Sequence, residues 1–305
     1  GTTTVTGHGE EGSMYLEHYG LRELPFTLTP DTAFFMSRDG YHDGLNVLLL
    51  TLRSGEGFIK VIGEVGTGKT ILCRALLNSL GEEFACVYLP NPYLRPSSLL
   101  FSIADELRLD YPKRITQHQL TRRLTDALLA LHAAGKRVVL CMDEAQAVPL
   151  QTLETLRLLT NLETEKRKLL QVVLFGQPEL AGVLSQPVIR QLRQRITFSY
   201  ELYPLNRTAL EAYVTHRLVI AGYAGPKLVT RRALDTLYEG SRGVPRVVNI
   251  LAHKALMAAF GQGLRVIDRA HVKRAIADTE DARSNRTSGA PRRGLRLLRW
   301  LAGGV

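Results

Sequence analysis

The most constraining feature of this sequence is a glycine-rich octapeptide that stands between an apolar run and a helical pattern. Phe58–Ile62 forms the apolar run, Gly63–Thr70 follows it directly, and apolar residues recur at helical spacing from Ile71 onward. The octapeptide has the spacing G-x-x-x-x-G-K-[ST], in the setting that this spacing requires, a buried strand before it and a helix after it. The sequence therefore predicts a strand–loop–helix unit that binds the phosphates of a nucleotide.

Each residue type in the octapeptide has a chemical reason. Glycine permits backbone conformations that other residues disfavour, so consecutive N–H groups can point inward around phosphate oxygens. The start of the following helix adds free N–H groups and the positive end of its dipole. Lys69 would reach the β- and γ-phosphates, and the Thr70 hydroxyl would bind Mg²⁺. The residues expected around the nucleotide phosphates are Gly63, Glu64, Val65, Gly66, Thr67, Gly68, Lys69, Thr70 and Ile71.

A second apolar run, Val138–Met142, ends in the acidic pair Asp143 and Glu144. In a parallel sheet the end of this strand would lie at the same edge as the phosphate loop. Asp143 is then expected in the Mg²⁺ shell, and Glu144 is expected to orient and polarise the water that attacks the γ-phosphate. The alternative is an ordinary strand end with solvated acids. Beside a phosphate loop, the pair favours nucleotide hydrolysis.

Polar residues near two further strands are candidates for contacts with the γ-phosphate. Gln177 follows the apolar run Val172–Phe175 and would sit between the strands that carry the loop and the acids, unless it is only a turn glutamine. Arg190, Arg193 and Arg195 precede the last strand. They form either a solvated basic face or a charge clamp for the nucleotide of a neighbouring subunit, and Arg195, next to the strand, is favoured.

The run Gly-Val-Pro-Arg that ends at Arg246 opens another helical pattern. Proline suits the first turn of a helix, and glycine frees the turn before it. Arg246 would then project toward a cleft, where it could report the presence of the γ-phosphate. The alternative is a surface arginine near a helix start.

The order of the patterns predicts two structural parts. Short apolar strands alternate with helical stretches as far as Leu202, which implies a parallel sheet covered on both faces. Helical periodicity dominates afterwards and predicts an all-helical domain from about Asn206. The expected strands are Phe58–Ile62, Ala85–Leu89, Val138–Met142, Gln171–Phe175 and Ile196–Leu202. The helical patterns are Thr70–Leu80, Ser97–Leu107, Gln117–Ala134, Leu150–Leu162, Leu210–Ile220, Arg232–Tyr238, Val247–Phe260 and Asp268–Thr279.

The net charge of +10 is concentrated at the end of the chain, where six arginines follow the last acid and leave +4 for the residues before them. The mildly basic body therefore does not by itself indicate nucleic-acid binding. At helical spacing, leucines of the last segment fall opposite its arginines, near Trp300. This pattern predicts an amphipathic tail that contacts an anionic membrane surface or a partner, with a disordered solubilising tail as the alternative.

Cysteine usage and hydropathy indicate the compartment. Cys73, Cys86 and Cys141 are odd in number, lie in apolar contexts and lack CxxC spacing, so they are expected to be reduced, buried thiols of a cytoplasmic protein. The sequence has no apolar run near 18 residues, so no membrane span is expected.

Taken in order, these motifs resemble those of the AAA+ ATPases. Residues 14–21, Pro25-Phe26 and Thr29–Asp31 further resemble the opening of the general secretion pathway protein A (ExeA-type) ATPases and of the closely related MSHA pilus biogenesis ATPases. Val173–Leu180 and the Gly-Val-Pro-Arg run also match this family. The likeness covers nearly all of residues 14–279. Secretion-type members continue into a transmembrane helix and a periplasmic peptidoglycan-binding region that this sequence lacks, which favours the shorter, pilus-type relatives.

The resemblance implies an α/β P-loop NTPase of the AAA+ fold: a five-stranded parallel αβα sandwich followed by a small helical lid. The nucleotide, ATP with Mg²⁺, would bind between them, in ring-type oligomers with shared active sites. It implies the Walker B role for Asp143 and Glu144, sensor 1 for Gln177, sensor 2 for Arg246, and the arginine finger for Arg195 by position.

The resemblance also implies roles that the residues alone do not indicate. Tyr41 and His42 lie where the adenine is usually flanked, and Asn91 lies where a polar switch for the catalytic glutamate is often found. The expected organisation is a vector-derived remnant (1–13), the AAA+ domain with an N-terminal extension (14–205), the helical lid (206–280) and a basic tail (281–305).

The resulting hypothesis is an ATP-hydrolysing assembly switch or motor for a bacterial envelope machine, either a type IV or MSHA pilus or type II secretion. It would form a nucleotide-dependent homo-oligomer, ring or filament, bind an envelope partner and reside in the cytoplasm, with peripheral inner-membrane contact through the tail as an open option. The alternative is an ATP-switched DNA-binding regulator of the transposition type, which shares the same core. A third option is a signalling ATPase without oligomers.

Overall fold

The computed structural model of this chain describes residues 14–28, 41–90, 93–162 and 168–282. Several expectations concern residues outside these ranges, namely the remnant 1–13, the Thr29–Asp31 motif, Asn91 and the tail from residue 283.

A five-stranded parallel sheet lies at the centre of the fold. Its strands are β1 (Phe58–Gly63), β2 (Phe84–Leu89), β3 (Arg137–Met142), β4 (Leu170–Gly176) and β5 (Ile196–Leu202). They lie side by side in the order β2-β3-β4-β1-β5. Each strand expected from the sequence is confirmed to within one residue at either end. Because β1 lies between β4 and the edge strand β5, the octapeptide leaves the carboxyl edge of the sheet between the ends of these two strands.

The burial of residues along the strands shows which faces of the sheet are covered. All seven residues of β4 are buried, whereas β5, at the edge, alternates partly buried residues with the exposed Thr197, Ser199 and Glu201. An inner parallel strand is apolar on both faces, and an edge strand needs only one apolar face. The expected αβα sandwich is confirmed.

Helices cover the two faces of the sheet. One face packs against α2 (Tyr41–Ser54) and α3 (Lys69–Ser79). The other packs mainly against α4 (Pro96–Glu106), α5 (Gln117–Ala133) and α6 (Leu150–Leu159). The sequence analysis did not identify α2, although Leu45, Leu48 and Leu52 recur at helical spacing and are buried. Two short helices of this part, α7 (Glu179–Leu184) and α8 (Arg190–Arg195), were also not predicted.

The second part is a helical bundle with its own core, which also contains the first described segment of the chain. Tyr15 and Tyr19, in the helical residues 14–19 (α1), pack on the bundle, and the Tyr19 hydroxyl donates a hydrogen bond to the Leu256 carbonyl (2.8 Å). The sequence analysis assigned residues 14–205 to the domain that contains the sheet, whereas the first described segment packs in the core of the bundle. The bundle helices are α9 (Arg207–Ile220), α10 (Arg231–Ser241), α11 (Pro245–Phe260) and α12 (Arg269–Ala277).

Val229 and Ile267 form an isolated parallel bridge that joins the turns before α10 and α12. None of the helices in the described ranges has the length and apolarity that a membrane crossing requires.

Candidate nucleotide-binding site

The phosphate loop connects β1 to α3 and depends on two glycines with positive φ. Gly66 (φ 79°) and Gly68 (φ 98°) adopt the left-handed region, which residues with a Cβ disfavour. Gly68 is also the N-cap of α3, so the first turn of the helix opens toward the loop. A Cβ on Gly66 would lie 2.7 Å from the Cβ of Arg246, so glycine also permits close contact with the bundle.

Lys69 curls back into this loop. Its side chain is buried, and its Nζ donates to the carbonyls of Gly63 (2.8 Å) and Glu64 (2.9 Å). Burial lowers the pKa of Lys69, while the negative charges of Glu144 and Asp143 act in the opposite direction. The ammonium group thus lies inside the loop and close to both acids.

Thr70 and Asp143 meet directly, although 73 positions separate them in the sequence. The Thr70 hydroxyl donates to Asp143 Oδ2 at 2.6 Å, and Asp143 Oδ1 accepts from the backbone N–H of Glu144 at 2.9 Å. Asp143 is only 4% exposed. A hydroxyl and a carboxylate at this distance offer the hard oxygen ligands that Mg²⁺ prefers, so the residues present fit a Mg²⁺ ion.

Glu144 lies next to two glutamines, Gln146 and Gln177, at the carboxyl edge of the sheet. It has a left-handed backbone (φ 51°, ψ 38°) and starts the short 3-10 helix Ala145–Ala147. Its Oε2 accepts from Gln146 Nε2 (2.6 Å) and from Gln177 Nε2 (3.1 Å). The predicted Gln177 is thus beside Glu144, because β3 and β4 are adjacent. The sequence analysis did not single out Gln146, two positions after the acids.

Arg246 brings the bundle to the loop. It lies in the first turn of α11, and its backbone N–H donates to the Gly66 carbonyl at 3.2 Å. Behind it, the carbonyl of Gly243 accepts from the N–H of Leu205, in the segment that links the sheet to the bundle (2.8 Å). The Gly-Val-Pro-Arg run is therefore held between the linker and the phosphate loop.

A cavity of about 200 Å³ lies where the loop, the bundle and the N-terminal segment meet. Two larger grooves, about 820 and 620 Å³, lie along α11 and α12 and beside α5, and neither contains the phosphate loop. The smaller cavity is the candidate site because most of the predicted nucleotide ligands line it. The predicted residues in its lining are Val65, Gly66, Gly68, Lys69, Thr70, Ile71, Glu144 and Arg246, and the unpredicted ones are Thr27, Leu28, Tyr213, Arg217, Pro245 and Asn249.

A buried polar network holds one wall of this cavity. Arg217, 3% exposed, donates from Nε to the Pro25 carbonyl (2.5 Å) and from Nη1 to the Tyr213 hydroxyl (2.9 Å). That hydroxyl donates to Asn249 Oδ1 (3.0 Å), and Asn249 Nδ2 donates to the Thr27 carbonyl (3.3 Å). We call these five residues the clasp. It fastens residues 25–28 to α9 and α11.

Tyr41 and His42 occupy different environments. A Cβ on Gly68 would lie 2.6 Å from the Tyr41 hydroxyl, so the ring rests against the phosphate loop. Burial raises the pKa of Tyr41. His42 is exposed. Neither residue lines the cavity, where Thr27 and Leu28 are found instead.

The three arginines before β5 lie far from the phosphate loop of the same chain. β5 runs parallel to β1, with Ile196 beside Phe58 and Leu202 beside Gly63. Arg195 thus stands at the amino edge of the sheet, about 20 Å of strand away from the edge that carries the loop. Arg190 and Arg193 are exposed and Arg195 is half-buried.

Comparisons with known proteins agree with this architecture. Residues 52–184 match the family model described as an AAA domain. Over 274 residues the chain is 43% identical to General secretion pathway protein A of Aeromonas hydrophila, which covers 90% of this chain and 50% of that protein. The chain therefore spans about half the length of this relative.

Solved structures with low sequence identity share the fold. ORC2 of Aeropyrum pernix is 18% identical and has a TM-score of 0.57, covering 79% of this chain and 67% of its own. Cdc6p of Pyrobaculum aerophilum is 17% identical (TM-score 0.61; 86% and 69% covered), and Drosophila ORC bound to DNA is 16% identical (TM-score 0.61; 91% and 69%). The chain therefore has the fold of the AAA-type P-loop NTPases and, by its 43% identity over 90% of its length, belongs to the family of General secretion pathway protein A.

Proposed function

We propose that this chain binds ATP with Mg²⁺ and hydrolyses it at a site completed by a second copy of the chain. The observation that carries this proposal is the contact between the Thr70 hydroxyl and the Asp143 carboxylate, 2.6 Å apart, beside Lys69 and Glu144. An ordinary strand end with solvated acids would not bring a buried acid to the first residues of the helix after a phosphate loop.

In this proposal the loop binds the phosphates and the two oxygen side chains hold the metal ion. The N–H groups at the start of α3 and the Lys69 ammonium would bind the β- and γ-phosphates. Thr70 and Asp143 would hold Mg²⁺, which neutralises charge on the phosphate oxygens when it is bound. In this proposal the nucleoside extends toward the segment that the clasp holds, because Thr27 and Leu28 of that segment line the cavity.

Glu144 is the proposed general base. It would accept a proton from a water molecule as that oxygen forms a bond to the γ-phosphorus and the bond to the leaving ADP oxygen breaks. Gln177, beside Glu144, would contact the same water or the γ-phosphate. Arg246, which lines the cavity, would contact the γ-phosphate from the bundle side.

The position of the arginines supports the proposal of a second copy. Arg195 lies at the amino edge of the sheet, so it is too far from the loop of its own chain to stabilise the transferring phosphoryl group. An arginine from a neighbouring copy could supply this charge. Arg195 is the favoured residue, and Arg190 and Arg193 remain the alternatives.

The proposed cellular role is based on the relative. General secretion pathway protein A matches 90% of this chain at 43% identity, so we propose that the ATPase acts as an assembly switch or motor for a bacterial envelope machine of the secretion or pilus type. Peripheral contact with the inner membrane through the tail is part of this proposal. No observation among the described residues favours the DNA-binding regulator.

The first experiment measures MgATP binding and phosphate release by the wild-type chain and by Glu144→Gln. We expect the variant to keep its MgATP Kd within about threefold and to lose at least about a hundredfold in turnover. Glu239→Gln, at an exposed position on α10, is the matched control and should behave as wild type. Absence of MgATP binding by the wild type would refute the function, and unchanged turnover in Glu144→Gln would refute the role of the base.

The second experiment tests the shared site. Turnover per molecule should rise with protein concentration, and Arg195→Ala should abolish it. Mixing Arg195→Ala with Glu144→Gln should restore activity, because the second variant supplies the arginine and the first supplies the base. Arg190→Ala and Arg193→Ala test the two alternative arginines in the same way. Full turnover at all concentrations in Arg195→Ala would exclude a shared site that uses this residue.

A further inference from the structure

We infer that Gln146 is a positioning residue that sets the orientation of the Glu144 carboxylate, an inference that rests on the proposed hydrolysis. Gln146 lies in the 3-10 helix directly after the acids. Its Nε2 donates to Glu144 Oε2 at 2.6 Å, and its Oε1 accepts from the backbone N–H of Gln177 at 3.0 Å. One amide therefore connects the base to the end of the neighbouring strand β4.

The arrangement requires a side chain with both a donor and an acceptor. Among side chains of this length, a glutamine amide carries an N–H₂ group and a carbonyl oxygen in one plane, whereas a glutamate carboxylate only accepts. The end of β4 leaves room for this amide, because residue 176 is a glycine. A Cβ at Gly176 would lie 3.1 Å from Gln146 Oε1 and 2.7 Å from Leu180 Cδ2.

The two glutamines act on the same oxygen of Glu144. Gln146 and Gln177 both donate to Oε2, and no hydrogen bond from the described residues reaches Oε1. Oε1 is thereby the oxygen that would accept a proton from water. Glu144 also has a left-handed backbone, a region that is sparsely populated by residues with a Cβ and is found at sites where a side chain needs an unusual direction.

Loss of the Gln146 amide should therefore reduce turnover without reducing nucleotide affinity. A misplacement of a reacting group by about 1 Å costs up to about a hundredfold in rate. We expect Gln146→Met, which keeps the side-chain volume, to lower kcat by about tenfold to a hundredfold, with MgATP Kd within about threefold of wild type. Gln146→Glu should lose turnover as well, because its carboxylate can still accept from Gln177 but cannot donate to Glu144.

The experiment compares both variants with wild type and Glu144→Gln by MgATP titration, steady-state turnover and thermal unfolding. Gln151→Met, at an exposed position on α6, is the matched control and should leave all three unchanged. Wild-type turnover in Gln146→Met, with Glu144→Gln inactive, would overturn this inference and leave the proposed function intact. Full turnover in Gln146→Glu alone would also overturn it, since the link to Gln177 would then suffice. If the wild type itself hydrolyses no ATP, the proposed function fails and this inference fails with it.

Discussion

The turn before α11 offers a sharp test of how the bundle is attached to the sheet domain. Gly243 has φ 76°, and its carbonyl accepts from the N–H of Leu205 at 2.8 Å. A Cβ at Gly243 would lie 1.9 Å from the Leu205 carbonyl oxygen, which is a backbone atom and cannot rotate away. Gly243→Ala should therefore displace the linker or the turn, and with it the contact between Arg246 and the phosphate loop.

The magnitude follows from three contributions. A left-handed backbone costs a residue with a Cβ roughly 1–2 kcal/mol, a steric misfit in a packed region costs roughly 1–3 kcal/mol, and loss of the backbone hydrogen bond costs roughly 1 kcal/mol. We expect Gly243→Ala to lower the free energy of unfolding of the bundle by about 3–6 kcal/mol. MgATP affinity should fall as well, because Arg246 would leave Gly66.

Gly263→Ala is the matched control in the same bundle. Gly263 has φ 68°, but no atom lies within 4 Å of the position of its missing Cβ. This variant should lose only the backbone contribution of roughly 1–2 kcal/mol. Urea unfolding followed by circular dichroism measures both variants, and hydrogen exchange of the α11 amides localises the effect. Equal losses in the two variants would refute the steric argument.

Three further predictions concern the cleft and the bundle. Gly66→Ala should weaken MgATP binding by about tenfold or more, because the new Cβ would lie 2.7 Å from Arg246 Cβ; unchanged affinity would contradict the close docking. Tyr213→Phe removes the hydroxyl that joins two partners in the clasp, and it should weaken ATP binding by about tenfold while leaving the affinity for tripolyphosphate unchanged. Tyr223→Phe is the control and should change neither affinity, because the Tyr223 hydroxyl donates to the Pro226 carbonyl outside the cleft. Equal losses of affinity for both ligands would argue against a wall that contacts the nucleoside. Burial lowers the pKa of His253, so the unfolded chain binds a proton at this imidazole more readily than the folded chain does. The free energy of unfolding should therefore decrease as the pH falls below about 6.5. His253→Gln should reduce this pH dependence in urea unfolding measured from pH 7.5 to about 5, and an unchanged pH dependence would contradict the role of His253.

Local patterns in the sequence predicted the sheet and the phosphate loop. An apolar strand, a glycine-rich turn and a helix are contiguous in the chain, so their order can be recognised without tertiary information. The pair Asp143 and Glu144 was recognised in the same way, at the end of an apolar run. Helix α2 was not predicted, although its buried leucines recur at helical spacing. The roles proposed for Arg195, Gln177 and Arg246 stay predictions.

The clasp and the packing of the N-terminal segment could not be predicted in this way. Arg217 and Pro25 are 192 positions apart, and Asn249 and Thr27 are 222 positions apart. Each of these residues is unremarkable in its own segment, because buried arginine, tyrosine and asparagine acquire partners only when distant elements pack together. The same holds for Tyr15 and Tyr19, which the sequence analysis grouped with the sheet and which lie in the core of the bundle.

The sequence by itself therefore determined the succession of strands and helices along the chain, the phosphate loop and the identity of the acids. Each of these depends on neighbouring residues within one strand–turn–helix unit. Tertiary structure alone decided which oxygen of Glu144 is held, which residues wall the cavity, and which edge of the sheet carries Arg195. These depend on how strands are ordered across the sheet and how the bundle docks on the loop, and such contacts join positions that share no local pattern.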